Sequence, residues 1–232
     1  MKDYDISAEG IAKLLMFLKP FKATGPDGIK AKFLLEFASE LCPALTMIFN
    51  ASLNQGEVPR EWKHAFIVPV YKGNGKSRCD PESYKPISLT SIVCKTMEHI
   101  LYSKIMTHLT DNNILSESQH GFREKRSCKT QLLLTVDDFA NNLNQGGQTD
   151  SVLLDFSKAF DKVDHHKLCQ KLHHYGIQGR HLLWIQSFLS DRTQQVIVNG
   201  KTSPPATVKS GVPQGSVLGP LLFLVYINDL PS

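Results

Sequence analysis

The sequence predicts an α+β protein. Three observations carry this reading. Helical and strand patterns are mixed without regular βα alternation. Extended pieces flank turn chemistry at 64–90 and again around Asn199–Gly200. A short apolar run, Val152, Leu153 and Leu154, has the character of a buried strand.

The first 56 residues read as helices. Ser7 can cap a segment whose apolar residues Ile11, Leu14, Leu15 and Leu18 recur at helical spacing, with Pro20 ending it. TGPDGI at 24–29 is a turn cluster. A second helical pattern runs through Ile29, Phe33, Phe37 and Leu41, is broken by Pro43, and continues through Leu45, Ile48, Phe49 and Leu53 to Gly56. From 64 to 90 the pattern changes: AFIVPVYK and SYKPISLT are extended, with GNGK at 73–76 as the turn. This is a basic hairpin carrying Lys72 and Lys85. Two such lysines can grip a triphosphate; they can equally be solvated surface.

Helices resume from Ser91 to about Leu109 and from Ser127 to Leu143. Between them, SQHGFREKRS sets Arg123, Lys125 and Arg126 beside an aromatic ring, an arrangement suited to single-stranded nucleic acid and also common at helix starts. The run 152–156 is expected to be the central strand, with the helices 127–144 and 164–175 on one face. An aspartate at its end, Asp155, is costly to bury without a compensating group. A hard cation such as Mg²⁺ is one such group, and capping of the following turn is the alternative.

A helix from about Asp164 to Tyr175 follows, then one from His181 to Leu189. The doublets His165–His166 and His173–His174 lie seven apart, a rise of about 10 Å along a helix, too far to share one ion; they read as solvated surface. TQQVIVNGKTS alternates in strand fashion around Asn199–Gly200, and SGVPQGSVLGP leads into an apolar closing helix.

Composition narrows the class. The 232 residues are 41% hydrophobic and 21% charged, as in ordinary folded proteins, with a net charge of +4. Between Arg60 and Lys104 there are eight Lys/Arg against four Asp/Glu, so the basic excess is local and compatible with a phosphate-bearing partner. Five scattered cysteines without CxxC spacing argue for a reduced compartment, no disulfide partner and no zinc finger. No signal peptide or membrane-spanning run is read, and an intracellular setting, nucleus or cytoplasm, is expected.

Seven stretches then stand in order: GPDGI (25–29), WKHAFIVPVYKG (62–73), YKPISL (84–89), SQHGFREKRS (118–127), LLDFSKAFDKV (153–163), SFLSDRTQQVIVNG (187–200) and SGVPQGSVLGPLLFLVYINDLP (210–231). Together they resemble the reverse transcriptase of non-LTR (LINE-type) retrotransposons, nearest to the jockey and chicken-repeat-like groups. The resemblance implies a right-hand polymerase, with residues 1–23 as a helical lead-in, fingers over about 24–150 and part of the palm over about 151–232. It implies an RNA-directed DNA polymerase that takes an RNA template, a DNA primer and deoxynucleoside triphosphates, with two Mg²⁺ ions (Mn²⁺ as a substitute).

Residue by residue, Asp155 is similar to the family's first catalytic and metal-binding carboxylate, and Phe156 to the neighbour whose backbone helps hold metal and triphosphate. Phe160 is similar to the ring stacked under the incoming sugar, and Gln214 and Gly215 to residues lining the nucleotide and template pocket. Lys72 and Lys85 fall on the triphosphate-gripping hairpin; most relatives carry arginine where Lys85 stands, and lysine lacks the bidentate fork. Arg123 falls where the family contacts template, with Arg126 beside it.

Two ions need about three converging carboxylates. The family's adjacent aspartate pair, written FADD or YADD, is not found here. Tyr226–Asp229 mimics it but belongs to the YINDLP segment that closes the last helix. Polymerisation by this chain alone is therefore not expected. The alternatives are a non-catalytic nucleic-acid-binding relic or a pseudogene product.

Overall fold

The structure is a computed structural model that describes residues 1–73, 75 and 77–230. The GNGK turn therefore lies partly outside the described residues. Ser7 caps the first helix, α1 (Ala8–Met16), its Oγ accepting from the Gly10 amide at 3.2 Å, and Ile11 and Leu15 are buried. Two helices follow, α2 (Ala31–Glu36) and α3 (Ala38–Gln55), the latter stopped by Gly56 in the left-handed conformation. The break falls at Phe37 and not at Pro43, which sits inside α3. Proline removes one donor there, the one that would reach back to Ser39. A helix anchored by buried Leu45, Phe49 and Leu53 tolerates that loss.

The expected hairpin forms from β1 (His64–Tyr71) and β2 (Tyr84–Leu89), antiparallel, with Phe66 opposite Leu89 and Val70 opposite Lys85. Next come α4 (Ile92–Asp111), α5 (Cys128–Asn144), α6 (His165–His174) and α7 (Gly179–Leu189). After these, β3 (Thr193–Val198) turns through Asn199 and Gly200, both at positive φ, into β4 (Lys201–Thr202). A short β5 (Ala206–Thr207) and the closing helix α8 (Leu218–Ile227) complete the chain.

The described strands form one small mixed sheet in the order β2-β1-β3-β4, with β5 also on β3. Its one parallel pairing joins β1 to β3, from His64 opposite Thr193 to Ile67 opposite Val196. The hairpin at 64–89 is thus bound into the sheet through β3 and does not stand apart from it. Helices and this mixed sheet give the α+β class. The core gathers α1, α3, α4, α6, α7 and α8 around Phe49, Met97, Leu101, Trp184 and Leu222, all fully buried. Trp184 stacks on Phe188 at 5.5 Å and donates its indole N–H to Ser52 Oγ at 2.9 Å.

The expected central strand at 152–156 is not a strand. Residues 149–156 carry no regular structure, and Val152, Leu153 and Leu154 are 81%, 94% and 82% exposed. The preceding α5 buries no residue either, and Leu133, Val136 and Leu143 face solvent. The expected packing of α5 on that strand is therefore absent, whereas α6 packs on α7 and α8. The physical reason lies in pairing. An apolar run becomes a buried strand only when neighbours satisfy its backbone and cover its faces. No described strand pairs with 150–156.

Candidate nucleotide and nucleic-acid site

Three separate stretches meet beside the sheet. The first is the 3₁₀ turn Ala159–Lys162, entered through Lys158 at φ 55°. The second is the loop 210–217 that leads into α8. The third is the backbone of β2. Four hydrogen bonds clamp loop to turn: Gly211 N–H to Val163 O (2.8 Å), Val212 N–H to Phe160 O (2.9 Å), Ser210 Oγ to Asp161 O (3.0 Å) and Gln214 Nε2 to Asp161 Oδ1 (3.0 Å). On the far side, the Ser88 amide of β2 donates to Gln214 O at 2.8 Å.

Glycine is required at Gly215. Its φ is +111°, and a Cβ there would lie 2.7 Å from Ser88 O. The clamp leaves an open cavity of about 320 Å³ lined by Ile67, Pro86, Asp161, Arg192, Gln194 and Gln214, among others.

A buried carboxylate holds the other end of the loop. Glu98, on α4, is fully buried, and its Oε2 accepts from Val217 N at 2.7 Å and Leu218 N at 3.0 Å. Val217 at the start of α8 has no side chain that can cap, so the first amides are taken from outside: Glu98 accepts two of them from another helix, and Ser216 Oγ accepts from Gly219 N at 2.9 Å. Burial raises the Glu98 pKa, opposed by the two amides and by the Arg192 guanidinium.

The sequence-derived residues fare differently. Phe160, Gln214 and Gly215 are brought together. Phe160 stacks on Phe223 at 4.4 Å and meets Phe122 edge-on at 5.9 Å, so its ring belongs to an aromatic row. Asp155 and Phe156 lie on the exposed segment, and no hydrogen bond or ring contact among the described residues joins them to Gln214. Lys72 and Lys85 are exposed on the hairpin, and Lys72 Nζ donates to Glu82 O at 2.8 Å.

Arg123 and Arg126 both close on Glu117 of their own loop. Arg123 Nη2 stands 3.6 Å from Glu117 Oε1 and its Nη1 donates to Ser116 O at 2.6 Å; Arg126 Nη2 bonds Glu117 Oε2. The Glu117 carboxyl is held below its usual pKa by the Arg126 hydrogen bond first and by Arg123 after it. Asp229 pairs with Lys171 at 2.5 Å, and neighbouring Asn228 accepts from Ser116 N and donates to Ile114 O, both at 2.8 Å, so the YIND stretch ties loops together.

Asp161 and Glu98 were missed. Glu98 carried a readable signal: it shares a helical face with Cys94, Leu101 and Ile105, all apolar. Three of the four histidines are exposed as expected, but His165 is half-buried and its Nε2 is 2.7 Å from Gly211 O.

Residues 71–232 match the family profile described as reverse transcriptase (RNA-dependent DNA polymerase). The chain belongs to the reverse transcriptase family. It is 33% identical to a probable RNA-directed DNA polymerase from transposon BS of Drosophila melanogaster, over 97% of this chain and 25% of that protein. It is 31% identical to the RNA-directed DNA polymerase from mobile element jockey of the same species, over 98% of this chain and 25% of the relative. With the X-element polymerase the identity is 31%, over 96% and 24%. The chain thus spans about a quarter of the length of these curated relatives.

Reverse transcriptases generally use divalent metal ions. Among the described residues, no three His, Cys, Asp or Glu side chains gather where an ion could be held. Asp155, on its exposed segment, is one carboxylate where a two-ion centre needs several, so the donor set of this chain alone does not fit such a centre. No helix among the described residues is long and apolar enough to cross a membrane.

Proposed function

We propose that this chain is the fingers and part of the palm of an RNA-directed DNA polymerase of a non-LTR retrotransposon, acting inside the cell on an RNA template, a DNA primer and deoxynucleoside triphosphates. In this reading residues 24–150 are fingers, 151–232 are palm, and 1–23 lead in. The reaction is attack of a primer 3′-hydroxyl on the α-phosphate of the incoming nucleotide, which forms the new phosphodiester, breaks the α–β phosphoanhydride bond and releases pyrophosphate.

The observation that carries the reading is the clamp on the 210–217 loop. It brings Gln214 and Gly215 against both the Phe160–Asp161 turn and the β2 backbone, uniting three motifs far apart in sequence. Asp155 is the residue assigned to Mg²⁺, and Phe156 its backbone neighbour; Lys72 and Lys85 are assigned to the triphosphate. A binding-only reading leans on Arg123 and Arg126, whose guanidiniums already satisfy Glu117, so it has less support.

The test is primer extension on an RNA template with Mg²⁺ or Mn²⁺, using this chain joined to the following region of a relative. Extension that Asp155→Asn abolishes is expected. Extension that survives Asp155→Asn overturns the assignment.

A further inference from the structure

One continuous piece of chain holds the 210–217 loop at two points. Ser88, in β2, donates its amide to Gln214 O at 2.8 Å. Glu98, in the second turn of α4, accepts the Val217 and Leu218 amides through Oε2 at 2.7 and 3.0 Å. Only Thr90 stands between the end of β2 and Ser91, which caps α4 by accepting from the Cys94 amide at 3.2 Å. Strand and helix therefore form one frame. On the loop side only Gly215 and Ser216 lie between the two anchored stretches. Gln214, at the first anchor, sends its side chain to Asp161 Oδ1 at 3.0 Å and lines the cavity of about 320 Å³.

The Glu98 anchor is a poor stabiliser. The residue is fully buried, and burial outweighs every opposing effect in raising its pKa. Its Oε1 has no hydrogen-bond partner among the described residues. The Arg192 guanidinium eases the charge but is committed elsewhere: Nη1 donates to Phe188 O at 3.0 Å, and the group lies 4.9 Å over the Phe188 ring. A carboxylate kept for stability alone would have both oxygens satisfied, and a neutral group would cost less to bury. The start of α8 does not rest on Glu98 alone either, since Ser216 Oγ takes the Gly219 amide locally. What Glu98 adds is register. It ties the exit of the loop to α4, 119 residues upstream, in the same frame that holds Gln214.

We infer that Glu98 is a positioning residue for the incoming deoxynucleoside triphosphate: its carboxylate fixes the exit of the 210–217 loop against α4, and through it the placement of Gln214 and Gly215 at the nucleotide. Glu98 touches no substrate itself. The inference rests on the reading of Gln214 and Gly215 as nucleotide-pocket residues and adds the group that holds them. Such a role has an unusual signature. Removing the charge frees the loop locally while relieving the fold of a buried ion, so local order falls and global stability does not.

The experiment compares the whole chain with Glu98→Gln at neutral pH by three measurements. These are the calorimetric Tm, amide hydrogen exchange over 84–98 and 210–220, and the Kd of fluorescently labelled dATP with Mg²⁺. Hydrogen bonds to a charged acceptor are about twice as strong as neutral ones, so exchange at the Ser88, Val217 and Leu218 amides should quicken on the order of tenfold. The nucleotide Kd rises by a similar factor, and Tm stays at or above the wild-type value. If the glutamine chain does not fold, Glu98→Asp is read in its place. It keeps the charge but withdraws it by one methylene, and the same local loosening and rise in Kd are expected.

A lowered Tm with exchange quickened evenly along the chain marks Glu98 as merely structural and overturns the inference. Unchanged exchange in the loop does the same, as does a quickened loop with an unchanged Kd. Wild type that binds no nucleotide while its loop is protected refutes the pocket reading, and the inference falls with it. Nucleotide bound by wild type and by a variant alike refutes the inference alone, so the two failures are distinct.

Discussion

Gly215→Ala is the sharpest perturbation of the loop clamp. An alanine at φ +111° carries backbone strain of about 1–3 kcal/mol. Its methyl would also meet Ser88 O at 2.7 Å. That neighbour is backbone inside a paired strand, so no side-chain rotation relieves the contact, and the loop must move away from β2. Movement opens the bond from Ser88 N to Gln214 O, a further loss of about 0.5–1.5 kcal/mol.

The total is about 1.5–4.5 kcal/mol, or a drop in Tm of about 3–18 °C at the size-dependent rate of 2–4 °C per kcal/mol. Gly200→Ala is the internal control. Its φ is +75° with nothing within 4 Å of the added methyl, so only the left-handed strain of about 1–2 kcal/mol applies. Differential scanning calorimetry of both variants isolates the contact with β2. If Gly215→Ala loses no more stability than Gly200→Ala, the loop is not wedged against Ser88 and the geometry argued above is wrong.

Two further predictions follow from buried and exposed extremes. Glu98 has its folded-state pKa raised by burial, so its charged form costs stability, and that cost grows as pH rises from about 4.5 through the raised value. The stability of wild type relative to Glu98→Gln should therefore fall with rising pH across that window; urea titrations giving a flat or rising difference would refute the burial argument. At the other extreme, Leu153 is 94% exposed, so Leu153→Lys should leave Tm within about 2 °C while lowering binding to a hydrophobic dye, because surface changes away from packed features stay within roughly 0.5 kcal/mol. A loss of several degrees would show that this side chain is packed.

Local chemistry was legible wherever a short-range rule decides. The Ser7 cap, the Asn199–Gly200 turn and the helices over 92–111 and 165–174 follow from nearest-neighbour signals. What failed depended on partners. Val152–Leu154 has strand composition, but composition does not supply the neighbouring strand. Likewise α5 has a readable apolar stripe, yet none of its residues is buried. The parallel junction of β1 with β3 gives no sequence signal, since register between distant segments is set by the surrounding packing.

At the site, Gln214 and Gly215 were found through resemblance, and their grip on Asp161 and Ser88 only through geometry. The guanidiniums of Arg123 and Arg126 could be counted as charges from sequence. Their commitment to Glu117 could not.

That parallel junction has a consequence in time. His64 and Thr193, which face each other with Nδ1 and Oγ1 2.8 Å apart, are separated by 129 residues. A ribosome adding about 5–20 residues per second delivers Thr193 some 6–26 s after His64. Throughout that interval β1 can pair only with β2, and its second edge stays open to any extended segment nearby. The nascent hairpin carries its own safeguard: Pro69 and Pro86 stand opposite each other and remove two backbone donors from the exposed ribbon. Only the first half of β1, residues 64–67, is later claimed by β3. The wait for a distant strand is thus confined to four residues, and the remainder of the ribbon is a poor template for mispairing while the rest of the chain is made.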